Sequence, residues 1–377
     1  MTISISLSAP DITQAEIDAV TAVLRSPHLC FGPELAGFEQ ALAAFHGVPH
    51  AVAVSSGTAG LHLALLTLGI GADDEVILPS FAFAGIVNTL FQVQATPVFA
   101  EIDPVTLNLD PASVEQAITS RTKALLVVHT FGVPAQMDAL LELARRHNLV
   151  VLEDACEAIG AEFGASSRSW RVGSFGDLAI FGFFPNKQIT TGEGGAVLAR
   201  DPAHAARLRS LRNQGRHPER GWLDHTEAGY NYRLSDLACA LGRVQLSRIE
   251  EILALRKAAA ERYDALFREQ PIDGLELPPL VLPDRILSWF VYVVRLPPGT
   301  DRERVKAEMA NCGVATGSYF APIHQQPASR SQSIPISLPI TESIAPRTLA
   351  LPFFNRITAD QQAQVVSALR GSLASRS

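Results

Sequence analysis

The sequence has little of what several classes of binding protein require. Its 377 residues include 4 cysteines, far apart and without a Cys-x-x-Cys pair, which disfavours a disulfide framework or a zinc site. Lys and Arg number 31 against 38 Asp and Glu, so the positive charge that nucleic-acid binding needs is missing. The sequence also lacks a continuous apolar run of membrane-spanning length and a recognisable signal peptide. We therefore expect a cytoplasmic protein that binds neither nucleic acid nor membrane.

Short apolar runs alternate with helical patterns between about residues 51 and 200. The runs AVAVS, EVILPS, TPVFAEI, ALLVVHT and LVVLEDA predict strands, because each is short and rich in Val, Ile, Leu or Phe. Four segments with helical spacing lie between them, at 59–68, 84–92, 111–118 and 136–147. This order predicts an α/β fold with a mostly parallel central sheet flanked by helices. Two further strand-like runs, at 177–184 and 195–200, follow without a long helix between them.

The pattern changes after residue 200. Helical spacing predicts a helix at 202–213 and one long amphipathic helix over 235–269, followed by a strand at 289–296, a helix at 301–311 and a terminal helix from 358. We therefore predict an N-terminal arm (1–12), a large domain (13–250) and a smaller C-terminal α+β domain (251–377).

Residues 55–60 (SSGTAG) form a small-residue turn between a predicted strand and a predicted helix. Such a turn presents backbone N–H groups that bind an anion, although an ordinary helix N-cap has the same composition. The G-x-G-x-x-G and G-x-x-x-x-G-K-[ST] patterns are absent here, which disfavours a dinucleotide site or a P-loop.

Two charged residues follow strand ends further along the chain. Asp154 closes the run LVVLED, at the edge where open α/β sheets bind ligands, although it is equally consistent with a turn cap. Glu153 and Glu157 lie nearby, but no His stands at ligand spacing, which disfavours a metal site. Lys187 follows an apolar strand end inside a Gly-rich turn, where burial disfavours its ammonium form; a solvated surface lysine is the alternative.

The three features together match what pyridoxal phosphate (PLP) requires of a protein. Its phosphate needs N–H donors, its ring nitrogen needs a carboxylate, and its aldehyde needs an amine. Phe83, after the run EVILPS, offers a ring for stacking on such a cofactor, or else it packs in the core. The combination is what favours a cofactor site.

Over nearly its whole length, the sequence resembles the fold-type-I PLP-dependent sugar aminotransferases of the DegT/StrS type. The matching segments, in order, are FGPELAGFEQALAAFHG (31–47), SSGTAGLHLAL (55–65), PSFAFAGIVN (79–88), EDACEAIGA (153–161), FFPNKQITTGEGG (183–195), GYNYRLSDLACALGRVQL (229–246) and LALPFF (349–354).

The resemblance implies a role for each matching residue near the reacting atoms. Lys187 would form the Schiff base with the cofactor and then move protons as base and acid. Asp154 would pair with the pyridine nitrogen, and Glu157 occupies the family's usual Gln/His position near the 3-hydroxyl. An ionised Glu157 would repel that oxygen, so we expect Glu157 to be protonated or displaced. Some relatives carry His in place of the lysine and deoxygenate the sugar, and Lys187 argues against that chemistry.

The remaining cofactor contacts are implied in the same way. Gly57, Thr58 and Ala59 would hold the phosphate, and Phe83 would stack on the ring. Asn231, in GYNYR, resembles the residue that reaches the phosphate from a neighbouring subunit, which implies a homodimer with shared active sites. The family commonly has a hydroxyl and a polar side chain where this sequence has Gly182 and Phe184, which removes one phosphate donor and makes the site drier.

The substrate contacts are less defined by the sequence. Tyr319 and His324 resemble a family segment near the sugar, although His324 is equally a structural histidine. Residues 217–225 form a polar loop that contacts either a nucleotide sugar or solvent. Arg233 and Arg356 are candidates for binding the donor carboxylate, since no motif identifies that residue.

The resemblance implies transfer of an amino group from L-glutamate to a keto nucleotide-sugar, a 4-keto-6-deoxyhexose, by a ping-pong mechanism that uses PLP and pyridoxamine phosphate. Three alternatives stay open at this stage: amination of a cyclitol ketone or a 3-keto sugar, a PLP-dependent sugar dehydratase, and a non-catalytic regulator on the same fold.

Overall fold

A computed structural model describes residues 3–164, 169–217, 223–330 and 336–374. Its strands are β1 His50–Val54, β2 Glu75–Pro79, β3 Thr96–Ala100, β4 Thr122–Val128, β5 Val150–Asp154, β6 Glu162–Phe163, β7 Trp170–Arg171, β8 Leu178–Gly182, β9 Gly195–Ala199, β10 Arg285–Ile286, β11 Tyr292–Arg295 and β12 Thr348–Leu351.

The helices alternate with these strands in the first half of the chain and dominate the second. They are α1 Gln14–Leu24, α2 Pro33–His46, α3 Gly57–Thr67, α4 Gly85–Gln92, α5 Pro111–Ala117, α6 Met137–His147, α7 Pro202–Arg212, α8 Asp236–Ser247, α9 Ile249–Glu269, α10 Arg302–Asn311, α11 Pro327–Arg330, α12 Pro339–Ile344 and α13 Ala359–Ala374. Short 3₁₀ turns occupy Thr130–Gly132, Ile323–Gln325 and Ala345–Arg347.

A seven-stranded sheet in the order β1-β9-β8-β5-β4-β2-β3 forms the centre of the large domain. The pairs β2–β3, β2–β4, β4–β5 and β5–β8 are parallel, whereas β9 runs antiparallel to both β1 and β8. Buried apolar residues lie on both faces, against α3, α4 and α7 on one side and against α2, α5, α6 and α8 on the other. The predicted α/β fold with a mostly parallel, helix-flanked sheet is confirmed.

The prediction of one long helix over 235–269 is wrong in one respect. The structure has two helices, α8 and α9, separated by a non-helical residue at Arg248 (φ −99°, ψ 8°). The Arg248 side chain is held by carboxylates of Asp11, Glu16 and Glu251, at 3.2, 2.7 and 3.2 Å. Apolar periodicity continues through the break, so the sequence pattern alone does not reveal it. The turn lets α8 pack on α1 and α2, while α9 continues into the C-terminal part.

The C-terminal part has its own core, built from α9, α10, α13 and the β11–β12 pair. Ile5 of the N-terminal arm is buried in this core and bridges to Val314, so the arm crosses from the large domain to the small one. Ile249 and Ile252 belong instead to the core of the large domain, so α9 is shared between the two. The predicted boundary at 250/251 falls in the first turn of this helix.

None of the helices in the described ranges is long and apolar enough to cross a membrane.

Candidate functional site

A cavity of about 470 Å³ opens where β4, β5 and β8 end, beside the N-terminus of α3. Carboxyl ends of parallel strands meet at one edge of a sheet, so side chains distant in sequence converge there. The predicted site residues that line this cavity are Gly57, Thr58, Phe83, Asp154, Glu157, Lys187 and Tyr319. The predicted residues outside the lining are Ala59, Asn231, Arg233 and His324.

Lys187 lies in the connection between the antiparallel strands β8 and β9. The connection folds back on itself, since Lys187 N–H donates to the Phe184 carbonyl at 2.9 Å and Thr191 N–H donates to Phe183 at 3.0 Å. The Lys187 side chain is only 15% exposed, and its Nζ lies 3.4 Å from Glu157 Oε1. An enclosed amine next to a carboxyl group is well placed to accept and return a proton.

Glu157 is buried at the wall of the same cavity. Its Oε2 accepts a hydrogen bond from the Phe131 backbone N–H at 2.9 Å, and its Oε1 faces the lysine amine. Burial raises the pKa of Glu157 above its ordinary value, and the opposing effects of Lys187 and the Phe131 N–H do not cancel that rise. A raised pKa favours the neutral carboxyl, one of the two outcomes that the sequence predicted.

The neighbouring carboxylates Asp154 and Glu153 face opposite sides of the sheet, because side chains alternate along β5. Asp154 lines the cavity, and its Oδ1 accepts from the Cys156 N–H at 3.1 Å. Glu153 is fully buried and accepts from the N–H groups of Phe175 and Gly176, at 2.8 and 2.7 Å. Glu153 is therefore structural. The described parts of the chain contain no group of three or more potential metal ligands.

The N-terminus of α3 completes one end of the cavity. Ser56 caps the helix, and its Oγ accepts the Ala59 N–H at 3.0 Å, so the N–H of Ala59 is engaged within the turn. Gly57 and Thr58 face the cavity. A Cβ at Gly57 would meet Cys156 Sγ at 3.0 Å and Gly182 Cα at 3.3 Å, so glycine favours this close approach of α3 to β8.

These residues fit PLP, because a helix N-terminus, a carboxylate and an enclosed amine border one space. Gly57 and Thr58 would hold the phosphate, Asp154 the ring nitrogen and Lys187 the aldehyde carbon.

Aromatic side chains contribute to the remaining wall. Phe83 and Phe184 stand at the mouth with 63% and 51% exposure, and Phe290, Tyr319 and Phe320 come from the small domain. Asn186 Nδ2 donates to the Tyr319 hydroxyl at 3.3 Å. The sequence analysis identified neither Phe290 nor Phe320, because an apolar residue in a predicted strand or loop carries no sign of the cavity that it faces.

A second group missed by sequence reasoning fixes the lysine-bearing connection from behind. Gln188 is buried, and its Nε2 donates to the Glu157 carbonyl at 2.6 Å and to Ser288 Oγ at 2.9 Å. Ser288 in turn donates to the Ile159 carbonyl at 2.6 Å. The amide therefore ties Lys187, the Glu157 segment and the small domain together.

Two predicted substrate residues are engaged elsewhere in this chain. His324 is buried, with Nδ1 2.6 Å from Ser80 Oγ and Nε2 3.2 Å from Glu342 Oε1. These contacts agree with the alternative that His324 is a structural histidine and not a substrate contact. Arg356 donates to Asp11 at 2.6 Å and lies outside the lining.

The GYNYR segment packs its tyrosines against α3 and leaves Asn231 exposed. Tyr230 and Tyr232 stack on each other and contact the ring of His62 on α3, whereas Asn231 is exposed. Arg233 donates to Asn213 at 3.1 Å. Within the predicted polar loop at 217–225, residues 218–222 lie outside the described residues.

Comparisons with known proteins agree with this geometry. The family model described as the DegT/DnrJ/EryC1/StrS aminotransferase family matches residues 10–370. GDP-perosamine synthase of Caulobacter vibrioides is 39% identical over 97% of both chains. The dTDP-3-amino-3,4,6-trideoxy-alpha-D-glucose transaminase of Streptomyces venezuelae is 39% identical over 95% of this chain and 92% of its own.

Solved structures show the same likeness. The crystal structure of S. venezuelae DesV in complex with a ketimine intermediate superposes with a TM-score of 0.88 at 37% identity, covering 99% of each chain. The chain therefore belongs to the DegT/DnrJ/EryC1/StrS aminotransferase family, whose enzymes depend on pyridoxal phosphate.

Proposed function

We propose that this enzyme transfers an amino group from L-glutamate to the keto carbon of a nucleotide-linked 4-keto-6-deoxyhexose. The observation that carries the proposal is the enclosed amine of Lys187, 3.4 Å from Glu157 in a cavity that Asp154 and the α3 N-terminus also line. Such a cavity holds an amine, two carboxyl groups and an anion site around one small ligand, as amino transfer needs.

When bound, PLP supplies an electron sink for the charge left on carbon as a C–H bond breaks. Asp154 would hold a proton on the ring nitrogen, because a carboxylate beside that atom stabilises its positive charge. The Lys187 amine would take the proton from the donor carbon and return it two atoms away, in a 1,3-proton shift. The Phe290 ring, 3.9 Å from Lys187 Nζ, would keep water away from this amine.

The relatives and the cavity wall support the proposed substrate class. Two relatives are named for GDP- and dTDP-linked sugars, so a sugar nucleotide is the shared feature. Phe184 and Phe320 make the outer wall apolar, which suits a 6-deoxy sugar, in which C6 is a methyl group instead of a hydroxymethyl group. The relative named as a 3-amino sugar transaminase favours a 3-keto sugar as the second candidate substrate.

A homodimer with shared sites is part of the proposal. Among the described residues that line the cavity, Lys187 is the single basic side chain, against Asp154, Glu157 and Glu193. The phosphate and the glutamate carboxylates are anions, so further donors must come from outside this lining. Asn231, in the GYNYR segment, is exposed. In the dimer its side chain would reach into the cavity of the second copy of the chain.

The test begins with the half-reaction. The purified protein is mixed with L-glutamate, and we expect the absorbance of bound PLP to convert to that of pyridoxamine phosphate. The product is then mixed with a panel of keto nucleotide-sugars, and aminated sugar is identified by mass spectrometry. An absorbance that glutamate leaves unchanged would count against amino transfer.

Borohydride reduction supplies the residue-level control. We expect it to fix the cofactor on Lys187, as read by peptide mass mapping, and Lys187→Ala to abolish the adduct. Lys257→Ala is the matched control, since Lys257 is exposed on α9 and pairs with Glu261. An unaltered adduct in Lys187→Ala would refute the assignment.

A further inference from the structure

The orientation of Glu157 depends on a buried amide outside the cavity lining. Asn108 is 1% exposed and follows β3. Its Oδ1 accepts the Thr130 backbone N–H at 2.8 Å, and its Nδ2 donates to the Val133 carbonyl at 2.9 Å. The two bonds fix which end of the amide faces which partner, because one partner is a donor and the other an acceptor. Asn108 thus holds both ends of the turn Thr130–Gly132.

The turn held in this way has an unfavourable backbone conformation. Phe131 adopts φ 57° and ψ 19°, in the left-handed region that L side chains other than Asn and Asp rarely occupy. Such conformations persist only where surrounding contacts enforce them. The Asn108 bonds and the hydrogen bond from Thr130 Oγ1 to the Leu107 carbonyl, 3.2 Å, are contacts of this kind.

The consequence of this conformation is the direction of one N–H group. The Phe131 N–H points at Glu157 Oε2 at 2.9 Å, and the other oxygen of that carboxyl lies 3.4 Å from Lys187 Nζ. If Phe131 adopted a right-handed conformation, its N–H would point in another direction. Glu157 Oε2, the oxygen farther from the lysine, would then lose its hydrogen bond.

We propose that Asn108 is a positioning residue for amino transfer, which acts by holding the 130–132 turn so that the Phe131 N–H orients Glu157 toward Lys187. This proposal rests on the proposed function, because the activity measured in its test is amino transfer. Asn108 itself lines no part of the cavity, so its effect passes through Glu157.

The test compares Asn108→Ala, Glu157→Ala and the double variant in the PLP-loaded protein. We expect Asn108→Ala to lower kcat about tenfold and to change KM less than about twofold, because the disturbed group acts on the proton transfer. In the Glu157→Ala background the same change should cost less than about twofold, since residues that act through one another are not additive.

The absorbance of bound PLP as a function of pH gives a second readout. Loss of the Phe131 N–H favours the neutral carboxyl of Glu157, and a neutral carboxyl stabilises the protonated nitrogen that joins Lys187 to the cofactor less than a carboxylate does. The midpoint of the titration should therefore fall by about one pH unit in Asn108→Ala. If unmodified protein transfers no amino group, the proposed function fails, and this titration still decides the role of Asn108.

Gln362→Ala is the matched control. Gln362 is a buried amide in the small domain, which donates to the Ala259 carbonyl at 2.8 Å and accepts from Arg262 at 2.7 Å. We expect it to lower Tm as Asn108→Ala does, without changing kcat or the titration. Asn108→Ser, which keeps an acceptor, replaces the alanine variant if that variant fails to fold. Equal costs of the Asn108 change in both backgrounds, or an unchanged titration midpoint, would overturn the proposal.

Discussion

The amine of Lys187 lies 3.9 Å from the centre of the Phe290 ring, although the two residues are 103 positions apart and belong to different domains. A cation over an aromatic face is attracted by the ring's negative centre. The contact places a small-domain side chain directly on the amine that we propose as the reacting group, so the geometry of the site depends on how the two domains meet.

We predict that Phe290→Leu lowers kcat about tenfold, because a smaller side chain leaves the amine less well oriented and more hydrated. The same change removes part of a buried ring and should cost about 1–3 kcal/mol of stability. Phe267→Leu is the control, since Phe267 is equally buried in the small-domain core away from the cavity. Steady-state kinetics and denaturant unfolding measure both effects. Similar kcat losses in the two variants would contradict the role given to the ring.

Substitutions of the two adjacent carboxylates of β5 should have different effects, one on activity and the other on stability. Asp154→Asn should lower kcat by about 10²-fold or more with little change in Tm, because the lost charge faces the cavity. Glu153→Gln should instead destabilise the fold by about 2–4 kcal/mol, since its amide group would face N–H donors from Gly173, Phe175 and Gly176. Thermal unfolding and kinetics on both variants test this. The prediction fails if the two substitutions have the same profile.

Stability should depend on Glu16 in acid. Burial raises the pKa of Glu16, but hydrogen bonds from Thr13, Arg248 and Gln245 outweigh it and lower the pKa from 4.5 to about 2. A folded-state pKa below the unfolded value stabilises the fold at pH above the unfolded pKa, and the gain disappears as pH falls through the folded pKa. The Tm difference between the natural protein and Glu16→Gln should therefore shrink between about pH 4.5 and 2.

A pH series of thermal unfolding curves checks this dependence. Glu261→Gln serves as the control, since Glu261 forms an exposed pair with Lys257 on α9, and exposed pairs contribute little. A difference for Glu16→Gln that stays constant over the acid range would show that the carboxylate charge is not what stabilises the fold.

Arg256 should be sensitive even to a conservative substitution. Its guanidinium is buried and donates to the carbonyls of Trp289 and Phe290, at 2.5 and 2.6 Å, and to Asn355 Oδ1 at 2.7 Å. A lysine cannot reproduce this planar fork, so Arg256→Lys should cost about 2–4 kcal/mol by leaving buried acceptors unpaired. Arg268→Lys, at an exposed position, should change stability by less than about 0.5 kcal/mol. Denaturant titration distinguishes the two.

Much of the large domain was predictable because local patterns decided it. Each apolar run predicted as a strand between residues 51 and 200 is a strand of the seven-stranded sheet, since a fully buried parallel strand needs such a run. The break at Arg248 was not predictable, because it depends on Asp11 and Glu16, which contact Arg248 across more than 230 positions.

The site, too, has a part that the sequence predicted and a part that it did not. Lys187, Asp154 and the 57–58 turn were predicted from the sequence as cofactor contacts, because each lies at or after a strand end and bears the group that the chemistry needs, and they line one cavity. Ala59 and His324 were named from the family resemblance, and their polar atoms bond to Ser56, Ser80 and Glu342. Proximity along the chain does not say which N–H group remains available.

By itself, the sequence determined the order of strands and helices and the family, and it predicted Lys187 as the reacting residue, since these depend on short-range patterns and on residue chemistry. Only the tertiary structure decided that Phe290 covers the amine, that Gln188 ties the lysine connection to Ser288, and that the Phe131 N–H holds Glu157. These contacts join segments far apart in the chain, and their geometry is set by how two hydrophobic cores pack against each other, which no local pattern encodes.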